Sequence, residues 1–419
     1  MGKKIMDANI DDNKPGSSSN YALILDTVRK VGPIGRADIA KFTNLSGPTV
    51  TPLVRDLIRA GFLKEDEFGV SKGGRKPRLL KLVPDALFAV GVDIGASKLR
   101  AAIVDLEANI VTKVVKETNA NEGKKATLER TMNTILEVIG KSRVKTNKIK
   151  GIGIGISAIV DHHKGVCLFC PNVEGWKNVP LKKIIEQEFG IEAVIDDSAR
   201  TMTLAESWCG LAKNVENFIF VNVGIGVGSG VFIHGELYRG SGGTAGELGH
   251  TTVEENGPRC NCGNFGCLET LVSGPAIARR AREALEQGVI SLIEELVEGN
   301  LNKVTPEIVV AAAKRGDKLA FNIMEKTGEY LGIGIANAIN LFNPDLVIIG
   351  AGVSKAGRLL LDPVKRVVKA RALQVASEKV DVKISTLGDD AGALGAAILV
   401  LKDIFQSLRK HKNLEVQRK

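Results

Sequence analysis

FAVGVDIGAS (88–97) and FIFVNVGIGVGSGVFIHGELYRG (218–240) are written to the same plan: an apolar run, a glycine turn, and a second apolar run. After the first turn the chain continues LRAAIVDLEANIV (99–111), the next strand of a hairpin. Short apolar runs rich in β-branched residues and bounded by glycine read as strands. The first turn holds Asp93, Gly95, Ser97 and Lys98, and the second region holds Gly224, Gly226, Gly228 and Gly230. A third run, LVIIGAGVSKAG (346–357), sets Gly350 and Gly352 behind a strand at about Leu346–Ile349. Glycine turns let backbone amides approach a phosphate, and Asp93 can hold a metal or a water. Plain tight turns use the same residues. Helical sequence follows both openings, so this part of the chain reads as an α/β architecture made of two similar halves.

HTTVEENGPRCNCGNFGCLE (250–269) carries the strongest local chemistry. His250, Cys260, Cys262 and Cys267 supply one imidazole and three thiolates within eighteen residues. That is a complete tetrahedral set for structural zinc, with no open position for a catalytic water. Reduced, unliganded thiols are the alternative. Cys167, Cys170 and Cys209 are scattered, so a disulfide framework is not indicated.

The N-terminal 84 residues read differently. Residues 1–20 look like a solvated tail ending in a Pro/Gly/Ser linker. No run has signal-peptide character or transmembrane length, so a cytoplasmic protein without a membrane partner is expected. From Tyr21 to Val83 there are twelve Lys/Arg against six Asp/Glu, a net +6 out of +9 for the whole chain. Three helical patterns follow one another. The first spans Tyr21–Val31, with Leu23, Ile24, Thr27 and Val28 on one face, and Gly32-Pro33 ends it. The second spans Arg36–Phe42, with Ile39 and Ala40 inward. The third starts on Ser46 as N-cap and runs to about Ala60, with Val50, Leu53, Val54, Leu57 and Ile58 at helical spacing. Phe62–Lys64 and Leu79–Leu82 then read as strands around the basic tip GVSKGGRKP (69–77). Helix, turn, helix and basic hairpin is the order of a winged helix-turn-helix, placed at 21–84, with a duplex DNA operator as partner. Thr49, Thr51 and Arg55 are placed to face the groove, and Lys72, Arg75, Lys76 and Arg78 to reach phosphates or the minor groove. Pro52 lies inside the third helix and is expected to kink it.

GELYRGSGGTAGELGHTTVEENGPRCNCGNFGCLE (235–269) resembles the signature of the ROK family nearly end to end. The resemblance covers about residues 20–400, including the wing, GVDIGAS, GAGVS and the closing GALGAAIL. It implies that 85–405 is a two-lobed, actin-like ATPase fold of duplicated ribonuclease H-like halves, with the zinc loop at 247–269 and a basic tail at 406–419. It implies sugar contacts at Asn172, Asp197, Glu247, His250 and Glu269, and nucleotide-type turns at Asp93, Gly95, Gly224, Gly226, Gly350 and Gly352.

Two positions depart from the family's kinases. Their general base is the Asp of an Asn-Asp-Ala-Asn run, followed by a helix ending Leu-Ala-Glu. Here the segment is GIEAVIDDSARTMTLAE (190–206). Without a gap, Asp197 falls on the first Asn, Ser198 on the catalytic Asp and Arg200 on the second Asn. Shifted by one residue, Asp197 falls on the base. The family's Gly-Thr-Gly phosphate loop is here Gly224-Ile225-Gly226, without the hydroxyl. The resulting expectation is a non-catalytic kinase homologue. It would act as a sugar-responsive repressor of carbohydrate-utilisation genes, with a monosaccharide effector, and as a homodimer or dimer of dimers. ATP binding stays open. The rivals are a glucose-, xylose- or N-acetylglucosamine-type kinase with an added DNA-binding domain, and a zinc-stabilised DNA-binding scaffold without a ligand.

Overall fold

The structure is a computed structural model and describes residues 17–68 and 76–406. The chain divides into two units, one of residues up to Asp196 plus those from Ala396 onward, the other Asp197–Gly395.

The first unit begins with α1 (Ser17–Val31), β1 (Ile34–Gly35), α2 (Arg36–Thr43), α3 (Gly47–Arg59), β2 (Leu63–Phe68) and β3 (Arg78–Leu82). The strands form a three-stranded sheet in the order β1-β3-β2. Ser46 starts α3 as expected: its Oγ accepts the Thr49 amide at 3.2 Å, a cap worth about 1 kcal/mol. Val50, Val54 and Leu57 turn inward at helical spacing and are fully buried with Ile24, Leu25, Ile39 and Leu80. Each such side chain contributes roughly 1.5–3 kcal/mol of burial.

Two expectations change here. α1 starts a turn earlier than Tyr21, at Ser17, so residues 17–20 are helix rather than tail. Leu23, expected inward, is 40% exposed, and Tyr21 and Leu25 are buried in the inward face instead. α3 runs through Pro52 to Arg59, within one residue of the expected end at Ala60. The wing tip with Lys72 and Arg75, residues 1–16 and the tail from 407 lie outside the described residues.

The same unit continues with β4 (Phe88–Ile94), β5 (Lys98–Asp105), β6 (Ile110–Glu117), α4 (Gly123–Ser142), β7 (Ile149–Ile156), β8 (Ile159–Asp161), β9 (Val166–Phe169), β10 (Lys177–Val179), α5 (Leu181–Phe189) and β11 (Ala193–Asp197). LRAAIVDLEANIV is thus not one strand but the body of β5, a turn, and the start of β6. The second unit holds α6 (Ser198–Cys209), β12 (Phe218–Val223), β13 (Val227–Ile233), β14 (Glu236–Tyr238), α7 (Leu268–Val272), α8 (Gly274–Glu286), α9 (Leu292–Leu296), α10 (Pro306–Lys314), α11 (Lys318–Phe342), β15 (Leu346–Gly350), α12 (Arg358–Arg371), α13 (Gln374–Ser377) and β16 (Asp381–Ile384). The last helix, α14 (Ala391–Gln406), carries the chain from the second unit back to the first.

The five-stranded sheets run β11-β7-β4-β5-β6 and β14-β13-β12-β15-β16. Numbered within its own sheet, each has the same strand order: third, second, first, fourth, fifth. In both, the first three strands are antiparallel hairpins, and the fourth lies parallel to the first. Parallel neighbours need a crossover, which α4 supplies in the first unit and the helices of 268–342 supply in the second. The two glycine-turn openings seen in the sequence are therefore the first hairpins of a repeated topology.

Each unit has its own core. Val90, Val92, Ile103, Ile152 and Ile154 anchor the first, and Val221, Val223, Ile335, Val347 and Ile349 the second. Of the central strands, β4 is buried at every position and β12 at every position but Asn222, as expected where both faces of a sheet are covered. Within the first unit, the Arg29 guanidinium of α1 lies 5.6 Å from the Phe405 ring of α14. Among the described residues no helix is long and apolar enough to cross a membrane.

Candidate metal centre and ligand site

β13 is the platform of the second unit's site. The β12–β13 turn closes with the Gly224 amide donating to the Gly226 carbonyl at 2.9 Å, and Ile225 at its tip is 46% exposed. Further along β13, the Ser229 amide and hydroxyl both donate to the Gly246 carbonyl, at 3.1 and 2.6 Å. Gly249 lies so close to the strand that a Cβ there would stand 2.0 Å from the Val227 carbonyl oxygen. Only glycine permits that approach. The segment 246–250 is thereby laid flat on β13. Its short 3₁₀ turn, Leu248–His250, leaves Glu247 exposed and His250 half-buried.

His250, Cys260, Cys262 and Cys267 converge, with their ligand atoms all within 4.8 Å of one another. Cys260 Sγ lies 3.6 Å from His250 Nδ1, and Cys262 Sγ lies 3.7 Å from Cys267 Sγ. A tetrahedral ion with bonds of about 2.3 Å to sulfur and about 2.0 Å to nitrogen has edges of about 3.6–3.8 Å. The donor set therefore fits such an ion. Burial pushes the Cys260 thiol up and the Cys267 thiol up to about 12, while the Asn264 amide lowers Cys262. Three neighbouring thiolates need a cation to coexist. The loop is held by its own backbone too: the Cys260 amide donates to the Asn264 carbonyl at 2.7 Å, and Thr252 bridges to Cys267. Coordination through Nδ1 leaves His250 Nε2 for another partner.

Glu269 stands in the first turn of α7, and its carboxylate accepts the Val227 amide at 2.9 Å. The carboxylate thus abuts the turn read as a phosphate loop, with one oxygen on the first amide of β13. Two arginines, the half-buried Arg280 and the buried Arg200, reinforce this frame. Arg280 of α8 donates to the Leu271 carbonyl at 2.9 Å and to Thr327 Oγ1 at 2.7 Å, bracing α7 against α11. Its Nε and Nη1 have no partner among the described residues, and burial lowers its pKa. Arg200, 2% exposed, reaches from α6 to the Gly243 carbonyl. The sequence reading gave neither arginine a role.

At the start of α6, Asp197 is the N-cap, and its Oδ1 accepts the Ala199 amide at 2.8 Å and the Arg200 amide at 3.3 Å. Ser198 is only 1% exposed.

The remaining expected positions are placed as follows. Asp93, next to last in β4, is 3% exposed and lies 3.9 Å from Arg100, its register partner on β5. The Gly95 amide closes its turn on the Lys98 carbonyl at 3.0 Å. Asn172 is exposed in the turn between β9 and β10. A Cβ at Gly350 would stand 2.4 Å from the Phe220 ring, so packing by itself requires glycine there, whereas Gly352 faces open space. Between them Ala351 has φ 69° and ψ −165°, a region that is nearly glycine-only and costs about 1–3 kcal/mol. Ala351→Gly is expected to stabilise the protein by about 1 kcal/mol in denaturant unfolding. An unchanged or lower stability would contradict that strain.

In the N-terminal module, Thr51 and Arg55 are exposed and Thr49 is half-buried, its hydroxyl 2.8 Å from Ser46 Oγ. Lys76 is exposed. Arg78, expected to reach phosphate, is instead paired with Glu65 and lies 5.3 Å from the Phe68 ring.

The sequence profile of the ROK family matches residues 89–403. The chain is 34% identical to the xylose repressor of Caldicellulosiruptor bescii over 390 residues, 92% of this chain and 96% of that protein. It is 34% identical to the glucokinase of Thermotoga maritima over 315 residues, 75% of this chain and 98% of that protein. Among solved structures, a ROK family transcriptional regulator described as a homologue of the E. coli MLC protein superposes with a TM-score of 0.80. It has 26% identity and covers 95% of this chain and 99% of its own. The actin-like fold, the repeated sheet topology and these matches agree: the chain belongs to the ROK family.

Proposed function

We propose that this protein is a sugar-responsive, DNA-binding transcriptional regulator, a repressor of carbohydrate-utilisation genes. The observation that carries the reading is a basic module of three helices and a hairpin on the same chain as a ROK domain with a rigid, cysteine-pinned ligand loop. The module is a winged helix-turn-helix, with α3 as the reading helix and Thr49, Thr51, Arg55 and Lys76 toward DNA. Repressors among the relatives share this whole length, as the 92% coverage of the xylose repressor match illustrates.

The four-ligand cluster holds structural zinc, which supplies rigidity and no chemistry at the ligand. Glu247, the free edge of the Glu269 carboxylate and His250 Nε2 are then preset partners for sugar hydroxyls, which both donate and accept. The sugar must bind one conformational state of the protein more tightly than another to change DNA affinity. A homodimer fits, since helix-turn-helix proteins read two half-sites.

The test uses the full-length protein and duplexes that it selects from a randomised library. One monosaccharide is expected to change the affinity for those duplexes. Glu247→Ala is expected to weaken that response roughly ten- to hundredfold, the worth of a charged hydrogen bond. DNA binding without sugar should stay unchanged. An intact sugar response in Glu247→Ala would remove the carboxylate from the site.

A further inference from the structure

Pro52 is the sixth residue of α3, and its ring is exposed. A proline inside a helix forgoes one backbone hydrogen bond and crowds the carbonyl four residues back, here that of Pro48. Such a residue is expected to be offset by packing. The buried face of α3 is Val50, Val54 and Leu57, and Pro52 is not on it. Instead, Pro48, Thr51, Pro52, Arg55 and Arg59 are all exposed and recur at the spacing of one helical stripe. No carboxylate interrupts the stripe. Asp56 is half-buried, receiving the Tyr21 hydroxyl at 3.1 Å and lying 3.5 Å from Arg59. The stripe is therefore apolar toward the start of the helix and cationic toward its end.

That pattern complements a DNA major groove, where the thymine 5-methyl is the apolar group and guanine O6 and N7 accept from arginine. We propose that Pro52, flanked by Pro48 and the Thr51 methyl, contacts a thymine methyl and is a specificity-determining residue of this protein. Arg55, one turn on, lies beside it toward the neighbouring base pair or phosphate. A proline ring offers no donor or acceptor. A polar base edge placed against it loses water without gaining a partner, so the contact also rejects alternatives. This inference rests on the DNA-binding reading above.

The experiment takes duplexes selected from a randomised library by the full-length protein and replaces each thymine with deoxyuridine, which removes only the methyl. At one or more positions wild type is expected to weaken about fourfold, the worth of one buried methyl-sized group. Pro52→Ala is expected to be insensitive at those positions and to select a relaxed consensus there. It is also expected to melt at or above wild type, because alanine restores the helix hydrogen bond. Equal deoxyuridine sensitivity in both proteins, or an unchanged consensus, would overturn the proposal. So would a lower melting temperature for Pro52→Ala, which would mean that the ring packs. If no duplex is enriched at all, the DNA-binding reading itself falls, and this proposal with it.

Discussion

Purified protein supplied with ATP and glucose, xylose, mannose or N-acetylglucosamine is expected to phosphorylate none of them at the roughly 1–100 per second ordinary for kinases. General-base catalysis is typically worth about 100- to 10,000-fold. In the ungapped register the base position is Ser198, whose hydroxyl cannot take a proton as a carboxylate does, and which is 1% exposed. The neighbouring Asp197 spends Oδ1 on capping α6 through the Ala199 and Arg200 amides. The turn at 224–226 presents the Ile225 side chain, and the next amide, that of Val227, is taken by the Glu269 carboxylate. The similarity to a glucokinase makes this a real contest. A kinase-like rate would mean that Asp197 serves as base and that the shifted register is correct. Ser198→Asp is expected to restore at most weak turnover, since Ile225 remains in the loop.

The second large effect concerns the metal. Protein purified without chelator is expected to carry one zinc per chain, and Cys260→Ser to lose it. Structural zinc contributes about 10–16 kcal/mol in isolated finger peptides. Here part of that is replaced, because the loop is also held by Ser229 on Gly246 and by Thr252 on Cys267. The expected result is therefore a folded protein whose Glu247 is no longer fixed. The sugar response is expected to disappear while DNA binding without sugar persists, since the N-terminal module proposed to bind DNA lies in the other unit. Elemental analysis that finds no zinc in the wild type would contradict the account. So would a Cys260→Ser variant that keeps both metal and response.

Much of this was legible in the sequence because the signals are local. The Ser46 cap, the spacing of Val50, Val54 and Leu57, and the glycine-broken strand pairs each depend on a few neighbouring residues. His250, Cys260, Cys262 and Cys267 sit within one loop, so their convergence needed no knowledge of the rest of the fold. What escaped depends on distant partners. α1 is apolar at Tyr21, Leu23, Ile24 and Leu25 alike, so periodicity alone could not tell that Leu23 faces outward. That packing also demands glycine at Gly350 shows only once the ring of Phe220, far away in the chain, is seen against it. Asp93 meets Arg100 only through the register of β4 on β5. The sequence reading gave Arg200 and Arg280 no role, and their bracing depends on partners far along the chain, the Gly243 carbonyl and Thr327 Oγ1. A signal was present for Arg200, which interrupts a run of small residues at the start of α6.

The central claim is that one sugar and one DNA sequence act on the same equilibrium. It is tested most directly by measuring both affinities on the full-length protein. A thermal-shift screen of monosaccharides identifies a ligand, and its affinity is then measured with and without the selected duplex. The affinity for the duplex is measured with and without that sugar. Linkage requires the two ratios to be equal, and the account predicts an equal change of about 5- to 150-fold in each, the usual range for coupled sites. A sugar that binds yet leaves the DNA affinity unchanged, or a screen in which no sugar binds, would contradict it.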